Sequence, residues 1–368
     1  LPFAPAARAA SNESLKLELQ RPLDRAAEWL LAKQDEKGFW STPDHPAVTA
    51  LALTALQGTR TEPPTPRHIE AARRGYEFIL GCVRPDGGIH TGKGYANYNT
   101  ATCLMALLGA AREEFRPAIL NARRYLVRTQ TDLGEAGKID TPLDGGIGYG
   151  SSYDHSDMGN MIFALEALHY SRQLVRDQKS ADAPDLNWEA AIHFLQSCQN
   201  LTSHNRQPWA SDDPANKGGF VYYPGSSKAG ETNLPNGRVA LRSYGSISYG
   251  GLLSYAYADL KRDDPRVTAV LDWLRGNYTL EENPGMGLQG LYFYFHTMTK
   301  ALNIYDINTL EMADGRTIDW REALALKLIN LQRADGSWIN SQARWWENDP
   351  ALVTAYSLIA LKMIQNRL

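Results

Sequence analysis

One short stretch of this chain gathers groups that can move protons: Asp154, His155 and Asp157, with Ser156 between them. Carboxylates beside an imidazole suit acid–base work, and such a histidine can hold a proton near neutral pH. Other segments offer surfaces rather than protons. Tyr98 and Asn99 follow a Gly-rich turn, Tyr244 and Tyr249 open a small-residue segment, and Tyr292, Tyr294 and His296 share an unbroken aromatic run. Trp345, Trp346 and Glu347 come just before Asp349-Pro350. Tyr and Trp rings suit an apolar ligand, a carbocation or the face of a sugar. The expected catalytic residues are therefore Asp154, His155, Asp157 and His296. The expected ligand-binding residues are Tyr98, Asn99, Tyr244, Tyr249, Tyr292, Tyr294, Trp345, Trp346 and Glu347.

Each candidate has a structural role that competes. Asp is a favoured helix N-cap and complements the helix dipole, so Asp154, Asp157 and Asp349 read as caps as well as acids. Asp349-Pro350 has the pattern of a cap followed by Pro at the first helical position. Successive residues circle a helix, so part of Tyr292–His296 faces a core and part a cavity, and His296 stands open between the two. Glu166 and Lys300 are charged within otherwise apolar segments and need water or a partner. The loop from Asn200 to Asn236 carries Trp209, Tyr222 and Tyr223, either as a lid or as a packed surface loop.

The elements that position these residues follow from a repeat. An amphipathic segment ends in Gln or an equivalent, a Gly turn with an aromatic or apolar residue follows, and a small-residue-rich segment comes after a polar loop. The clearest copies are Gln34…Gly38-Phe39-Trp40, then Ala47–Leu53, and Gln332…Gly336-Ser337-Trp338, then Val353–Leu361. The turn glycines Gly38, Gly87, Gly145, Gly218, Gly287 and Gly336 recur 49 to 73 residues apart, with the fifth copy degenerate. Each copy is one helix pair. The first helix is amphipathic and outer: Leu23, Ala26, Ala27, Leu30 and Leu31 fall at helical spacing. The second is apolar all round and therefore inner. Six pairs without polar end-caps imply a closed all-α (α/α)6 toroid, residues 19–368, preceded by an N-terminal extension, residues 1–18. Parallel inner helices would gather the candidate residues at one mouth. Trp40 and Trp338 belong to the repeat packing.

The segment Gln332-Arg333-Ala334-Asp335-Gly336-Ser337-Trp338 resembles the QW motif of squalene-hopene cyclases and related terpene cyclases. Cys82-Val83-Arg84-Pro85-Asp86-Gly87-Gly88-Ile89 is similar to the repeat of protein prenyltransferase β-subunits. The resemblance implies a toroid with a central aromatic cavity for isoprenoids. In class II cyclases an Asp-rich DxDD motif protonates an alkene. Its counterpart here is Asp154-His155-Ser156-Asp157, which keeps the outer carboxylates and has Ser156 in place of the proton-donating Asp. The prenyltransferase zinc ligands have no counterpart in Arg242–Tyr249.

Composition sets outer limits. The chain has 368 residues, 43% apolar and 21% charged, with a net charge of −3. That supports a large core and argues against a disordered chain, a membrane span and electrostatic nucleic-acid binding. Cys82, Cys103 and Cys198 lack CxxC spacing and read as buried thiols, so no metal is expected. No nucleotide-binding Gly loop is present, and no cofactor is expected. The residues at the start, Leu1–Ala10, lean toward an exported or periplasmic location. The expected function is a cyclase-like or prenyltransferase-like toroid that binds an apolar isoprenoid, lipid or peptide, and acts on it by acid–base chemistry. A non-catalytic ligand- or protein-binding toroid and a carbohydrate-active toroid are the alternatives.

Overall fold

Apolar repeats with period 3.6 become helices, and the computed structural model describes them over residues 4–57, 64–150, 155–176, 184–235, 237–312 and 314–368, with backbone alone for 4–12. Among these residues the helices are α1 (Ala4–Lys33), α2 (Pro46–Leu56), α3 (Pro66–Gly81), α4 (Ala96–Gly109), α5 (Arg116–Arg128) and α6 (Met158–Ser171). They continue as α7 (Gln173–Arg176), α8 (Trp188–Ser197), α9 (Gly245–Tyr257), α10 (Pro265–Gly276), α11 (Leu291–Ile304), α12 (Trp320–Leu331) and α13 (Pro350–Gln365). Two small antiparallel hairpins sit in loops. They are β1 (Glu231–Asn233) with β2 (Val239–Leu241), and β3 (Leu310–Glu311) with β4 (Thr317–Ile318).

The helices form two concentric layers. The inner ring runs α2–α4–α6–α9–α11–α13, and α13 packs back on α2, so the ring is closed. Helices α1, α3, α5, α8, α10 and α12 form the outer layer. The architecture is the expected (α/α)6 toroid. Composition explains the layering: in α2 every residue except Thr54 is buried, and in α9 every residue except Ala256. In α1 a stripe of Leu15, Leu19, Leu23, Ala26 and Leu30 is buried against α12 and α13. That stripe begins before the expected domain start at residue 19, and α1 runs unbroken through the boundary.

The Gly turns weld neighbouring repeats. Gly145 and Gly336 have φ of +84° and +94°. A Cβ on Gly145 would meet the carbonyl oxygen of Ala190 in α8 at 1.9 Å, and one on Gly336 that of Arg25 in α1 at 2.6 Å. Only glycine allows this backbone approach. Gln side chains finish the weld. Gln332 Nε2 donates to the carbonyls of Gly336 and Pro22, at 3.0 and 2.9 Å. Gln34, Gln130 and Gln199 each make the same double contact in their own repeats. Trp40 and Trp338 are fully buried, with their indole N–H groups on the Leu30 and Leu328 carbonyls. Burial of such side chains is worth roughly 1.5–3 kcal/mol each. The degenerate fifth turn lacks this contact: nothing lies within 4 Å of a Cβ on Gly287. On the inner ring the closing seam is held by Lys362, whose ammonium donates to the Ala55 and Gln57 carbonyls at the end of α2.

Candidate active site

All six inner helices point their N-termini to one end of the barrel, where they enclose a cavity of about 310 Å³. Each helix contributes from its first two turns: Val48, Tyr98, Asn160 with Phe163, Ser246 with Ile247, Phe293, and Leu352 with Tyr356. The loops before them supply His45, Tyr95, Tyr149, Tyr222, Tyr244 and Trp345–Glu347. The wall is an aromatic box. The volume is at the small end of the range for ligand sites.

The converging N-termini need caps, and many come from elsewhere in the chain. Asp157 and Asp349 cap α6 and α13 locally, accepting from Asn160 N at 3.0 Å and Ala351 N at 2.8 Å. Asn99 of α4 reaches back to α2, where its Oδ1 accepts from Ala47 N at 3.1 Å. Asn283 Oδ1 accepts from Ser246 N of α9 at 2.8 Å. Glu347 serves α11: Oε1 accepts from Phe293 N at 2.8 Å and Oε2 from Tyr292 N at 3.3 Å. Asn340 Nδ2 also donates to Glu347 Oε2, at 2.6 Å.

Two of these carboxyls are buried enough to change their acidity. Glu347, on the cavity wall, is 1% exposed. Burial pushes its carboxyl up to about 7, against the pull of Asn340 and the α11 amides. Asp157 is fully buried behind Asn160 and Tyr222, and burial raises it to about 6. The Asn160 amides, the Tyr222 hydroxyl and nearby His155 oppose that rise. The Tyr222 hydroxyl stands 3.4 Å from that of Tyr149, so a hydroxyl path connects Asp157 with the cavity. Burial lifts Tyr149 and Tyr98 to about 12, leaving both protonated.

The rim is strained. Tyr95, Trp345 and Trp346 have φ of 55°, 56° and 65°, a left-handed conformation that bulky side chains rarely adopt. The Tyr95 and Trp346 rings meet at His45, whose centroid is 4.6 Å from Trp346 and 5.2 Å from Tyr95. Trp345 and Trp346 remain 36% and 39% exposed at the mouth.

The structure brings Tyr98, Tyr244, Trp345, Trp346 and Glu347 to the cavity wall, with Asp157 just behind it. Asp154 lies outside the described residues. His155 stacks on Tyr223 at 4.3 Å, off the wall. Ser156 faces the repeat turn, where its hydroxyl donates to Thr131 Oγ1 at 2.7 Å. The remaining candidates lie elsewhere. Asn99 is spent on the α2 cap. Tyr249 and Tyr294 turn toward the outer layer, where the Tyr294 hydroxyl donates to Thr279 O at 2.9 Å. Tyr292 is buried with its ring on Phe295. His296 is 2% exposed, with its ring 4.8 Å from that of Tyr356, a wall residue. Burial takes its imidazole well below its usual pKa. Glu166 and Lys300 resolve as a partly buried ion pair.

Sequence reasoning left out Tyr149, Phe163, Phe293 and Tyr356 as wall residues. Spacing held part of the signal: Leu352 and Tyr356 are one turn apart on α13, and Asn160 and Phe163 nearly so on α6. Tyr222 comes from the fourth-repeat loop, whose carbonyl at that residue accepts from Met158 N at 2.9 Å and so docks the loop on α6. Among the described residues no group of three His, Cys, Asp or Glu side chains is placed to hold a metal ion. Also among them, no helix is long and apolar enough to cross a membrane.

No protein-family model and no curated protein matches this chain. Solved structures do. A variant of the type II terpene cyclase MstE from Scytonema, bound to its product merosterolic acid A, matches with TM-score 0.57 and 13% identity, covering 97% of this chain and 99% of that one. A D-mannose isomerase matches with TM-score 0.58 and 11% identity, over 96% and 98% of the two chains. Cellobiose 2-epimerase from Spirochaeta thermophila matches with TM-score 0.50 and 15% identity, over all of both chains. At such identities the likeness is one of architecture, and a fold so widely reused does not carry its chemistry with it. With the closed ring of six inner helices, these matches identify the chain as an α/α-toroid protein.

Proposed function

We propose that this toroid takes an apolar, isoprenoid-like ligand into the aromatic cavity and transforms it by acid–base chemistry, with Glu347 as the principal acid. The observation that supports this most is the Glu347 carboxyl itself. It stands on the cavity wall, and burial keeps much of it protonated near neutral pH. The same carboxyl accepts from Phe293 N, Tyr292 N and Asn340 Nδ2, contacts that oppose the rise and remain in place for the anion when the proton leaves. A carboxyl that is largely neutral at rest keeps a proton to give near neutral pH, and the donors on its oxygens hold the anion that donation leaves. The rings of Tyr98, Phe163, Phe293, Trp345 and Tyr356 would stabilise the cation formed. Asp157, through Tyr222 and Tyr149, is a second proton station with different cover, which suits the return step. The architecture can house such chemistry, since the similar MstE is a terpene cyclase.

The test is product analysis by mass spectrometry after incubation with a panel of C10 to C30 isoprenoids, for the wild-type protein and Glu347→Gln. Turnover abolished in the variant supports the reading. A wild-type protein that neither binds nor alters any member of the panel overturns it.

A second reading has one observation of its own. The half-exposed Trp346 beside His45 suits a sugar face and a proton acceptor, and two of the similar structures are sugar-converting enzymes by name. Incubation of mannose and cellobiose with the protein in deuterium oxide would show exchange at C2 by NMR if it holds.

A further inference from the structure

The cavity mouth carries two cations that the proposed acid chemistry does not use. Lys228, in the fourth-repeat loop, holds its ammonium 4.2 Å from the ring centroid of Tyr222. Arg344, in the turn before α13, holds its guanidinium 4.5 Å from that of Trp345. Both rings line the cavity. Among the described residues neither cation has a carboxylate partner. Arg344 makes one hydrogen bond, Nη1 to Gln289 Oε1 at 2.6 Å, and Lys228 makes none. Several other cations of the chain are matched by oxygens, Arg123 with Asp185, Arg266 with Asp264, Lys300 with Glu166, and Lys362 with two carbonyls, whereas Lys228 is partly buried and Arg344 exposed at the mouth. The two at the mouth also act on each other. Burial first and Arg344 second draw the Lys228 ammonium down, while Asp157 draws it up. Two like charges with a shared field and no carboxylate in contact form a site that an anion would neutralise.

We infer that the ligand of this cavity is an amphiphile with an anionic head, a carboxylate or a phosphate, held at the mouth between Lys228 and Arg344. This rests on the reading of the cavity as a site for an apolar chain. The electrostatics then orient the ligand. Glu347 and Asp157 lie inward and would repel an anion when ionised, whereas the cations lie outward. The ligand enters tail first, with its head in the rim and its apolar end on the Glu347 side. Arg344 can grip a planar carboxylate or a phosphate through paired N–H groups, and Lys228 adds a point charge.

The experiment is a titration of the full chain, read by tryptophan fluorescence, with farnesol, farnesoic acid and farnesyl phosphate at low and high salt. In the wild type at low salt, one or both anionic compounds should bind about tenfold or more tightly than farnesol, and the advantage should shrink at high salt. Lys228→Met and Arg344→Met keep the apolar stems over the rings. Each should lose most of the advantage and keep its farnesol affinity, which also shows that the variant is folded. The anion with the larger advantage names the head. Equal binding of all three, or an advantage that survives both substitutions, overturns this inference and leaves the apolar reading standing. Binding of none of them overturns both.

Discussion

Glu347 and Phe293 are 54 positions apart in sequence, and the carboxylate of one accepts the backbone N–H of the other at 2.8 Å. A residue in the loop before α13 thus caps α11 and lines the cavity. The same contact ties the acidity of the site to the stability of the ring.

That tie has a sign. Glu347 is lifted from 4.5 to about 7, and Asp157 from 3.8 to about 6. A carboxyl whose pKa is higher in the folded state favours folding when protonated and loses that advantage as pH rises from its unfolded to its folded value. The window here runs from about pH 4 to about pH 7. For Glu347 the full loss is on the order of 3 kcal/mol. Urea unfolding at about pH 5 and about pH 8 should show Glu347→Gln gaining on the wild type by about 2–3 kcal/mol at the higher pH. Parallel behaviour at the two pH values would show that this carboxyl is not raised.

The weld between Gly336 and Arg25 should be costly to disturb. Gly336→Ala places a methyl against a carbonyl at a left-handed backbone position, and a loss of about 2–4 kcal/mol is expected. Gly287→Ala has the positive φ and open space around it, so about 1 kcal/mol is expected. Urea midpoints of the two variants provide the comparison. Equal losses would mean that backbone strain alone, not the seam, sets the value.

Trp345 and Trp346 combine an unfavourable backbone with exposed rings, a pairing expected of residues kept for a ligand. Replacing either with Gly relieves the left-handed strain and gives up aromatic contact, so stability should change by less than about 1 kcal/mol. Affinity for a bound apolar ligand should fall about tenfold or more. Thermal melting and fluorescence titration read the two effects separately. A large loss of stability with affinity intact would make this turn purely architectural.

The Glu166–Lys300 pair is a partly buried bond between α6 and α11, inner helices that are not neighbours in the ring. Lys300→Met leaves the buried Glu166 carboxylate without its cation, with the Tyr257 hydroxyl as its remaining partner, and should cost about 3 kcal/mol. Adding Glu166→Gln should recover most of that loss. A double variant no better than the single would indicate that Lys300 supports the fold by packing rather than by charge.

The fold was legible because its signals are local and repeated. Gln332 to Trp338 and the all-apolar α13 encode a turn and an inner helix that any copy of the repeat could stand for. Asp349-Pro350 announced its cap in two letters. The site was only partly legible because its key contacts join distant loops. Nothing near Asn99 indicates that it caps α2, and nothing near Tyr292 or Phe293 indicates that Glu347 caps α11. Period 3.6 places Tyr294 on a helix but does not say which side meets the outer layer. Tyr222 reaches the wall from the middle of a loop with no periodicity to read. Lys228 and Arg344 stand out only when the rings beneath them and the missing carboxylates are seen together.

Gly336 and Gln332 make the last turn of the chain the partner of its first long helix. An open superhelical array can fold from one end as it is made, each unit resting on the one before. A closed ring denies that to its first member. As the chain emerges during synthesis, Leu19, Leu23 and Leu30 have no complete cover until the sixth unit is out and α12 and α13 arrive. The nascent protein therefore carries a sticky apolar stripe until all six units have been made. Its yield in a cell should depend on chaperones that hold such a stripe until the ring can shut.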